Sequence, residues 1–240
     1  MYYVRFPAIL LMASLGLVGC DRSPYNSDDW QLQRHAELNE IARRGDIDLV
    51  FLGDSITQKW EDVGSEVWGR YYAQRKAANF GIKGDRTEHV VWRIDHGNLD
   101  GIHPKTIVVL IGTNDAYVGR TPQEIANGVI AVVQKLRAKV PDSKILVLGI
   151  FPSGERPDNA QRLRTRAANM ILSKVVNGTN VRFLDIGDRF VNRDGTISKH
   201  MMPDFWHLGP EAYALWAEAL EPVLNDHRSS SRLPRANMLG

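Results

Sequence analysis

Short apolar runs recur along the chain, each closed by a turn signal, and they alternate with stretches of helical periodicity. The runs are Ile47 to Leu52 (with Asp48 inside), Lys76 to Phe80, Thr106 to Ile111, Lys144 to Ile150 and Val181 to Ile186. Each reads as a strand. Helices are predicted between them. Trp30 to Arg44 places Leu38, Ile41 and Ala42 on one face, with Asp28 or Asp29 as the N-cap and Gly45 as the stop. Part of Trp60 to Tyr72 reads as helix, interrupted near Gly64, and its aromatics read as core. Thr87 is placed as the cap of a helix through Trp92 and Ile94. Thr121-Pro122-Gln123-Glu124 joins a Thr cap, Pro at the first turn and Glu at the third position, with Ile125, Val129, Val132, Val133 and Leu136 facing inward behind it. Asn159 to Val176 and Glu211 to Leu224 complete the set.

Alternating strands and helices imply a parallel sheet covered on both faces, a three-layer α/β/α sandwich. Right-handed crossovers leave few topologies, and a flavodoxin-like five-stranded sheet of order 2-1-3-4-5 is the expectation. A chain of 240 residues, 43% hydrophobic and 24% charged, suits one such domain. Formal net charge is +2 with the signs interspersed, which points away from nucleic acid as a partner.

The single cysteine, Cys20, excludes an intrachain disulfide and draws attention to what precedes it. Arg5 followed by the apolar Phe6 to Val18 reads as a secretory signal, too short for an ordinary spanning helix. Leu17-Val18-Gly19-Cys20 resembles a bacterial lipobox, with small Gly19 before the cysteine to be lipidated. The expected organisation is a signal peptide over 1–19, lipidation at Cys20, a polar tether over 20–28, one domain over 29–224 and a disordered tail over 225–240. Two acyl chains anchor firmly, so Cys20 would hold the protein to a membrane from its extracytoplasmic side. Asp21 resembles an inner-membrane retention signal of enteric bacteria.

Three of the apolar runs end in polar signatures: Gly53-Asp54-Ser55, Gly84-Asp85 and Gly112-Thr113-Asn114-Asp115. In a parallel sheet those ends share the edge where open α/β folds bind ligands. Asp204-x-x-His207 adds a carboxylate and an imidazole at a spacing that turns both the same way. A serine hydroxyl needs a base in reach to become a nucleophile, and imidazole suits that work near neutrality. A carboxylate then holds the ring's tautomer, which makes Ser55, His207 and Asp204 a candidate catalytic set. The N–H groups of Ser55 and Gly84 and the amide of Asn114 are candidate donors to an oxyanion. Thr57 stands where the Gly-x-Ser-x-Gly elbow would require glycine. Scattered histidines without His-Glu-x-x-His point away from a metal, and Gly81 with Gly84 lacks the nucleotide-binding fingerprint. His35, His89, His96 and His103 read as surface or satisfied core residues, with His96 nearest to a role beside the pocket.

Gly-Asp-Ser-Ile-Thr, Gly84, Gly-Thr-Asn-Asp and Asp-x-x-His, in that order, resemble the SGNH or GDSL hydrolase superfamily. Asn79 to Thr87, Trp92-Arg93, His96-Gly97, Pro104-Lys105, Gly149 to Pro152, Asp194-Gly195 and Asp204 to Leu208 look like the catalytic subunits of platelet-activating factor acetylhydrolase Ib and their bacterial relatives. The resemblance spans about Trp30 to Leu224. It implies the SGNH hydrolase fold, Ser55 as nucleophile, Gly84 and Asn114 in the oxyanion hole, an Asp204–His207 pair, and no cofactor. Lys83 stands where that subfamily usually has glycine, and Asp115 where it has asparagine. Both flank the expected pocket, beside Asp54, Asp85 and Trp206, and Trp206 either lines the acyl site or simply packs.

The function expected is a serine esterase acting on a small acyl ester, acetyl first, of a glycan or a lipid. Acyl transfer to a sugar and a non-catalytic, glycan- or partner-binding lipoprotein are the alternatives. Eukaryotic relatives of the family dimerise, so a homodimer is expected by the same resemblance.

Overall fold

A computed structural model describes residues 23–25, 29–178 and 180–230. The predicted signal peptide, Cys20, much of the tether and the last ten residues lie outside them. The order of elements is α1 (Trp30–Arg44), β1 (Leu49–Gly53), α2 (Ser55–Gln58), α3 (Ser65–Tyr71), β2 (Ala77–Gly81), α4 (Thr87–Asp95), β3 (Thr106–Leu110), α5 (Thr113–Tyr117), α6 (Pro122–Lys139), β4 (Lys144–Leu148), α7 (Ala160–Val175), β5 (Asn177–Gly178), β6 (Val181–Leu184) and α8 (Pro210–Ser230). The interruption expected near Gly64 falls between a 3-10 turn at Lys59–Glu61 and α3.

The sheet runs β2-β1-β3-β4-β6-β5. The five predicted strands take the predicted order, all parallel, and β1 pairs in register with β2 through Gly53↔Gly81 and with β3 through Gly53↔Leu110. The sixth strand was not expected. It is two residues long, antiparallel to β6, and carries no apolar pattern to announce it.

Alternate strand residues feed two cores, as pleating requires. Val50, Leu52, Ile107, Val109, Ile145 and Val147 meet α1, α4, α6 and α7 on one face. Leu49, Phe51, Val108, Leu110, Leu146 and Leu148 meet Trp60, Tyr72, Tyr213 and Trp216 on the other. Burial on both faces is why these strands read as continuous apolar runs. The Thr121–Glu124 capping box forms, with Thr121 Oγ1 accepting from Glu124 N and Glu124 Oε2 accepting from Thr121 N. α8 continues to Ser230, past the Leu224 expected, because no glycine or proline interrupts 225–230.

One charged residue lies within the first core. Arg93, on the inward face of α4 beside Val90 and Ile94, is wholly buried. Its Nε pairs with the equally buried Asp85 carboxylate at 2.8 Å. Its Nη1 donates to Asn98 Oδ1 (2.5 Å) and Phe80 O (3.2 Å), and its Nη2 donates to Gly53 O (3.3 Å). Tyr25 completes the group by donating its hydroxyl to Asp85 Oδ1 at 2.6 Å. Tyr25 therefore departs from the expected free tether: a buried carboxylate needs donors, and this ring supplies one while packing on Trp92.

Replacing one partner of such a pair leaves the other buried and uncompensated. Arg93→Met is expected to cost about 3–5 kcal/mol of unfolding free energy, measured by urea denaturation. A loss below ~1 kcal/mol would show that the pair does not hold the fold.

Candidate active site

The carboxyl ends of β1, β2 and β3 place the predicted residues along one sheet edge. β1 ends at Gly53, and Ser55 is the first residue of α2. Glycine is required at 53: a Cβ there would lie 2.3 Å from Leu110 O and 2.3 Å from Thr57 Oγ1. Asp54 caps the helix by accepting from Ile56 N at 2.9 Å. A four-residue helix has no stability of its own, so its neighbours hold it. Asn79 Nδ2 donates to Thr57 O (2.9 Å) and Gln58 O (3.2 Å), and the Tyr213 hydroxyl donates to Ile56 O (2.6 Å). These bonds satisfy carbonyls that a helix end leaves open.

Ser55 Oγ lies 3.0 Å from His207 Nε2, and His207 Nδ1 lies 2.7 Å from Asp204 Oδ2. Asp204 Oδ1 accepts from the backbone N–H of Trp206 (2.9 Å) and of His207 (2.7 Å). Burial alone would raise the Asp204 carboxyl, but the His207 ring and these two N–H groups outweigh it and hold it below its usual range. An ionised carboxylate only accepts, so Nδ1 carries the ring hydrogen and Nε2 is left to accept from Ser55. The turn that aims the ring is strained, since Phe205 sits at φ 59° between Asp204 and His207. Its carbonyl is held by Gly154 N at 2.8 Å.

The loop after β2 is tied from both sides. Ile82 N donates to Gly53 O (3.1 Å), and Asn114 Nδ2, from the first turn of α5, donates to Asp85 O (2.8 Å). Gly84 lies between these bonds at φ 86°, where a Cβ would meet nothing nearer than Gln31 at 3.7 Å. Backbone conformation, not crowding, asks for glycine there. Asn114 keeps a second amide hydrogen, and Ser55 N, first in its helix, has no intrahelical acceptor. The Ile82 and Asn114 bonds tie together the stretches that carry Ser55, Gly84 and Asn114.

The remaining expectations divide. Trp206 is half-buried next to His207, and Lys83 is exposed with its backbone N–H on Gln58 Oε1 (2.7 Å). Asp54, Asp85 and Asp115 are fully buried and closed to a substrate. Asp115 accepts from Thr87 N (3.1 Å), Thr87 Oγ1 (2.8 Å) and Arg120 Nη1 (2.6 Å). Thr87, expected as a helix cap, is instead the first residue of α4, and its hydroxyl serves Asp115. His96 stacks on Trp92 with centroids 4.1 Å apart, and His35 and His89 are buried, pushed down to about 4 by burial first and by nearby arginines. Arg93 and Tyr25 were given no role from the sequence, and Thr87 was read only as a cap. The available signal for Arg93 was a charge on the apolar face of a helix.

A doubly wound sheet carrying a serine–histidine–aspartate chain at its carboxyl edge is the architecture of the SGNH hydrolases. The model of the GDSL-like lipase/acylhydrolase family matches residues 51–215. Platelet-activating factor acetylhydrolase IB subunit alpha2 of Gallus gallus is 36% identical over 197 residues, covering 82% of this chain and 84% of that one. Among solved structures, a GDSL-like lipase from Bacteroides thetaiotaomicron superimposes with a TM-score of 0.65 at 16% identity, over 81% of this chain and 97% of its own. Est24, a carbohydrate acetylesterase from Sinorhizobium meliloti, gives 0.57 at 18% identity, over 75% and 99%. The chain belongs to the GDSL-like lipase/acylhydrolase family. It is a carboxylic ester hydrolase.

Asp54 carries a pH signature. Burial first, then the charges of Asp85 and Asp115, push its carboxyl up to about 7 against the pull of Ile56 N–H, and its Oδ2 is buried with no hydrogen-bond partner among the described residues. The folded state therefore binds a proton that the unfolded state releases, so this group makes stability fall as pH rises from about 4 to about 7. Asp54→Asn is expected to gain on the native protein as pH rises, read as the difference in urea midpoint at pH 5 and pH 8. An equal difference at both pH values would refute the assignment.

Proposed function

We propose that the protein is a serine esterase that removes small acyl groups, acetyl foremost, from an extracytoplasmic glycan. The unbroken chain from Ser55 Oγ through His207 to Asp204 carries this reading. Ser55 Oγ attacks the ester carbonyl while His207 Nε2 takes its proton. The carbonyl oxygen, now negative, is met by N–H groups of Ser55, Gly84 and Asn114, each such donor contributing about 3–4 kcal/mol in favourable cases. Collapse breaks the ester bond, and the departing alkoxide leaves as the alcohol with the proton from His207. Water then attacks the acyl-enzyme, giving its proton to His207, and the free acid leaves as Ser55 is restored. Asp204 orients the ring throughout and stabilises its charged form.

Acetyl is supported by relatives described as acetylhydrolases and by the likeness to a carbohydrate acetylesterase. The cell-envelope address rests on Leu17-Val18-Gly19-Cys20: Cys20 would be lipidated and face away from the cytoplasm, at the inner membrane if Asp21 acts as a retention signal. With Tyr25 held by Asp85, the leash from Cys20 would extend at most about 18 Å. Residues 1–22 lie outside the described structure, and among the described residues no helix is long and apolar enough to cross a membrane. Assembly as a homodimer belongs to the same proposal, through the likeness to the acetylhydrolase subunits.

A fluorophosphonate probe should label the native protein at Ser55. Ser55→Ala should lose both the label and the hydrolysis of p-nitrophenyl acetate, and His207→Ala should lower kcat by about 10⁴-fold. Equal labelling of Ser55→Ala would sink the nucleophile. For the anchor, Cys20→Ser is expected to move the activity from the membrane fraction to the soluble one. Unchanged fractionation would remove lipidation from the account.

A further inference from the structure

Two aromatic rings stand at the mouth of this site without a part in its chemistry. Tyr117 is 64% exposed, an unusual state for a large ring, and Val118 beside it is 53% exposed. Trp206 meets Tyr117 edge to face, with centroids 5.4 Å apart and planes at 81°. Both are bound to catalytic geometry by the backbone. Tyr117 follows Asn114 by three residues on α5, hence on the same side of that helix. Trp206 immediately precedes His207, and its N–H is fixed by the same Asp204 carboxylate that holds the imidazole.

The geometry points to a sugar-binding subsite at the mouth of the active site, in which Tyr117 and Trp206 form an aromatic corner that stacks one pyranose ring of an acylated oligosaccharide. The inference rests on the esterase reading above and names its substrate class. Perpendicular rings offer one flat face and one edge. A pyranose matches that shape, laying its C–H face on a ring while its hydroxyls stay in water. An acyl chain is apolar all round and needs enclosure on every side, which a ring 64% open to solvent does not provide. Arg120 is committed to Glu88 and Asp115, and Arg86 is paired with Glu88. Standing next to the base on one side and to the Asn114 helix on the other, a ring stacked here holds its ester near Ser55.

Tyr117→Ala and Tyr117→Phe are compared with the native enzyme on acetylated xylotetraose, p-nitrophenyl acetate and p-nitrophenyl octanoate. Tyr117→Ala should raise KM for the xylotetraose about tenfold with kcat held, and lower the ratio of its kcat/KM to that of the aryl acetate by the same factor. Tyr117→Phe keeps the ring and should restore both within about twofold. Loss that falls equally on all three substrates, an unchanged KM for the xylotetraose, or a change confined to the octanoate-to-acetate ratio would overturn the subsite. So would a native enzyme that cleaves p-nitrophenyl acetate but leaves acetylated xylotetraose intact, with the esterase reading standing. A native protein inert to both aryl esters and to fluorophosphonate overturns the two readings together.

Discussion

The pair of Arg93 and Asp85 is the constraint on which the site depends. Both side chains are wholly buried beside the first core, where a lone charge would be very costly. Their mutual attraction and the hydrogen bonds around them offset that cost. Those bonds run to Gly53 O, Phe80 O and Asn98, and from Tyr25 to Asp85. Burial raises the Asp85 carboxyl, while Arg93 and the Tyr25 hydroxyl pull it back down. A guanidinium suits this place because its planar fork donates in several directions at once.

What the pair joins matters more than its own stability. Gly53 begins the turn that presents Ser55, and Asp85 follows Gly84 directly. The Asp85 carbonyl holds the Asn114 amide from the other side. Arg93 thus ties the turn of Ser55 to the loop carrying Gly84, and the Asp85 carbonyl ties that loop to Asn114 after the third strand. The histidine side is built differently. His207 and Asp204 share one turn with strained Phe205 between them, held from outside by Gly154 N on the Phe205 carbonyl and by the contact with Ser55. The proposed oxyanion donors are tied into the sheet edge, while the proposed base sits on a surface loop with Asp204 56% exposed.

Much of this was legible from residue order. Strands buried on both faces announce themselves as apolar runs, and the Thr121 capping box is written in four consecutive residues. The Asp204–His207 contact is local, so spacing alone suggested it. Ser55–His207 was legible from residue chemistry and the expected sheet edge, and the resemblance strengthened it, but no periodicity relates residues 152 positions apart. The three buried carboxylates were misplaced for a physical reason. An aspartate at a strand end looks the same whether it faces a substrate or an inner partner: Arg93 takes Asp85, Arg120 takes Asp115, and Asp54 caps its own short helix. Tyr25 belonged to a polar stretch whose composition says tether, and its burial is explained by its bond to Asp85 and its packing on Trp92 and His89. β5 had no pattern to read.

The distance along the chain between Ser55 and His207 bears on when the protein becomes reactive. The nucleophile's turn needs β1, β2 and β3, all complete by Leu110. The base needs the loop before α8, and Tyr213 of α8 is also the residue that clasps Ile56. A chain still being made therefore holds its serine without a partner and with its short helix half supported. On the proposed mechanism, Ser55 gains its base only once the loop before the last helix is in place.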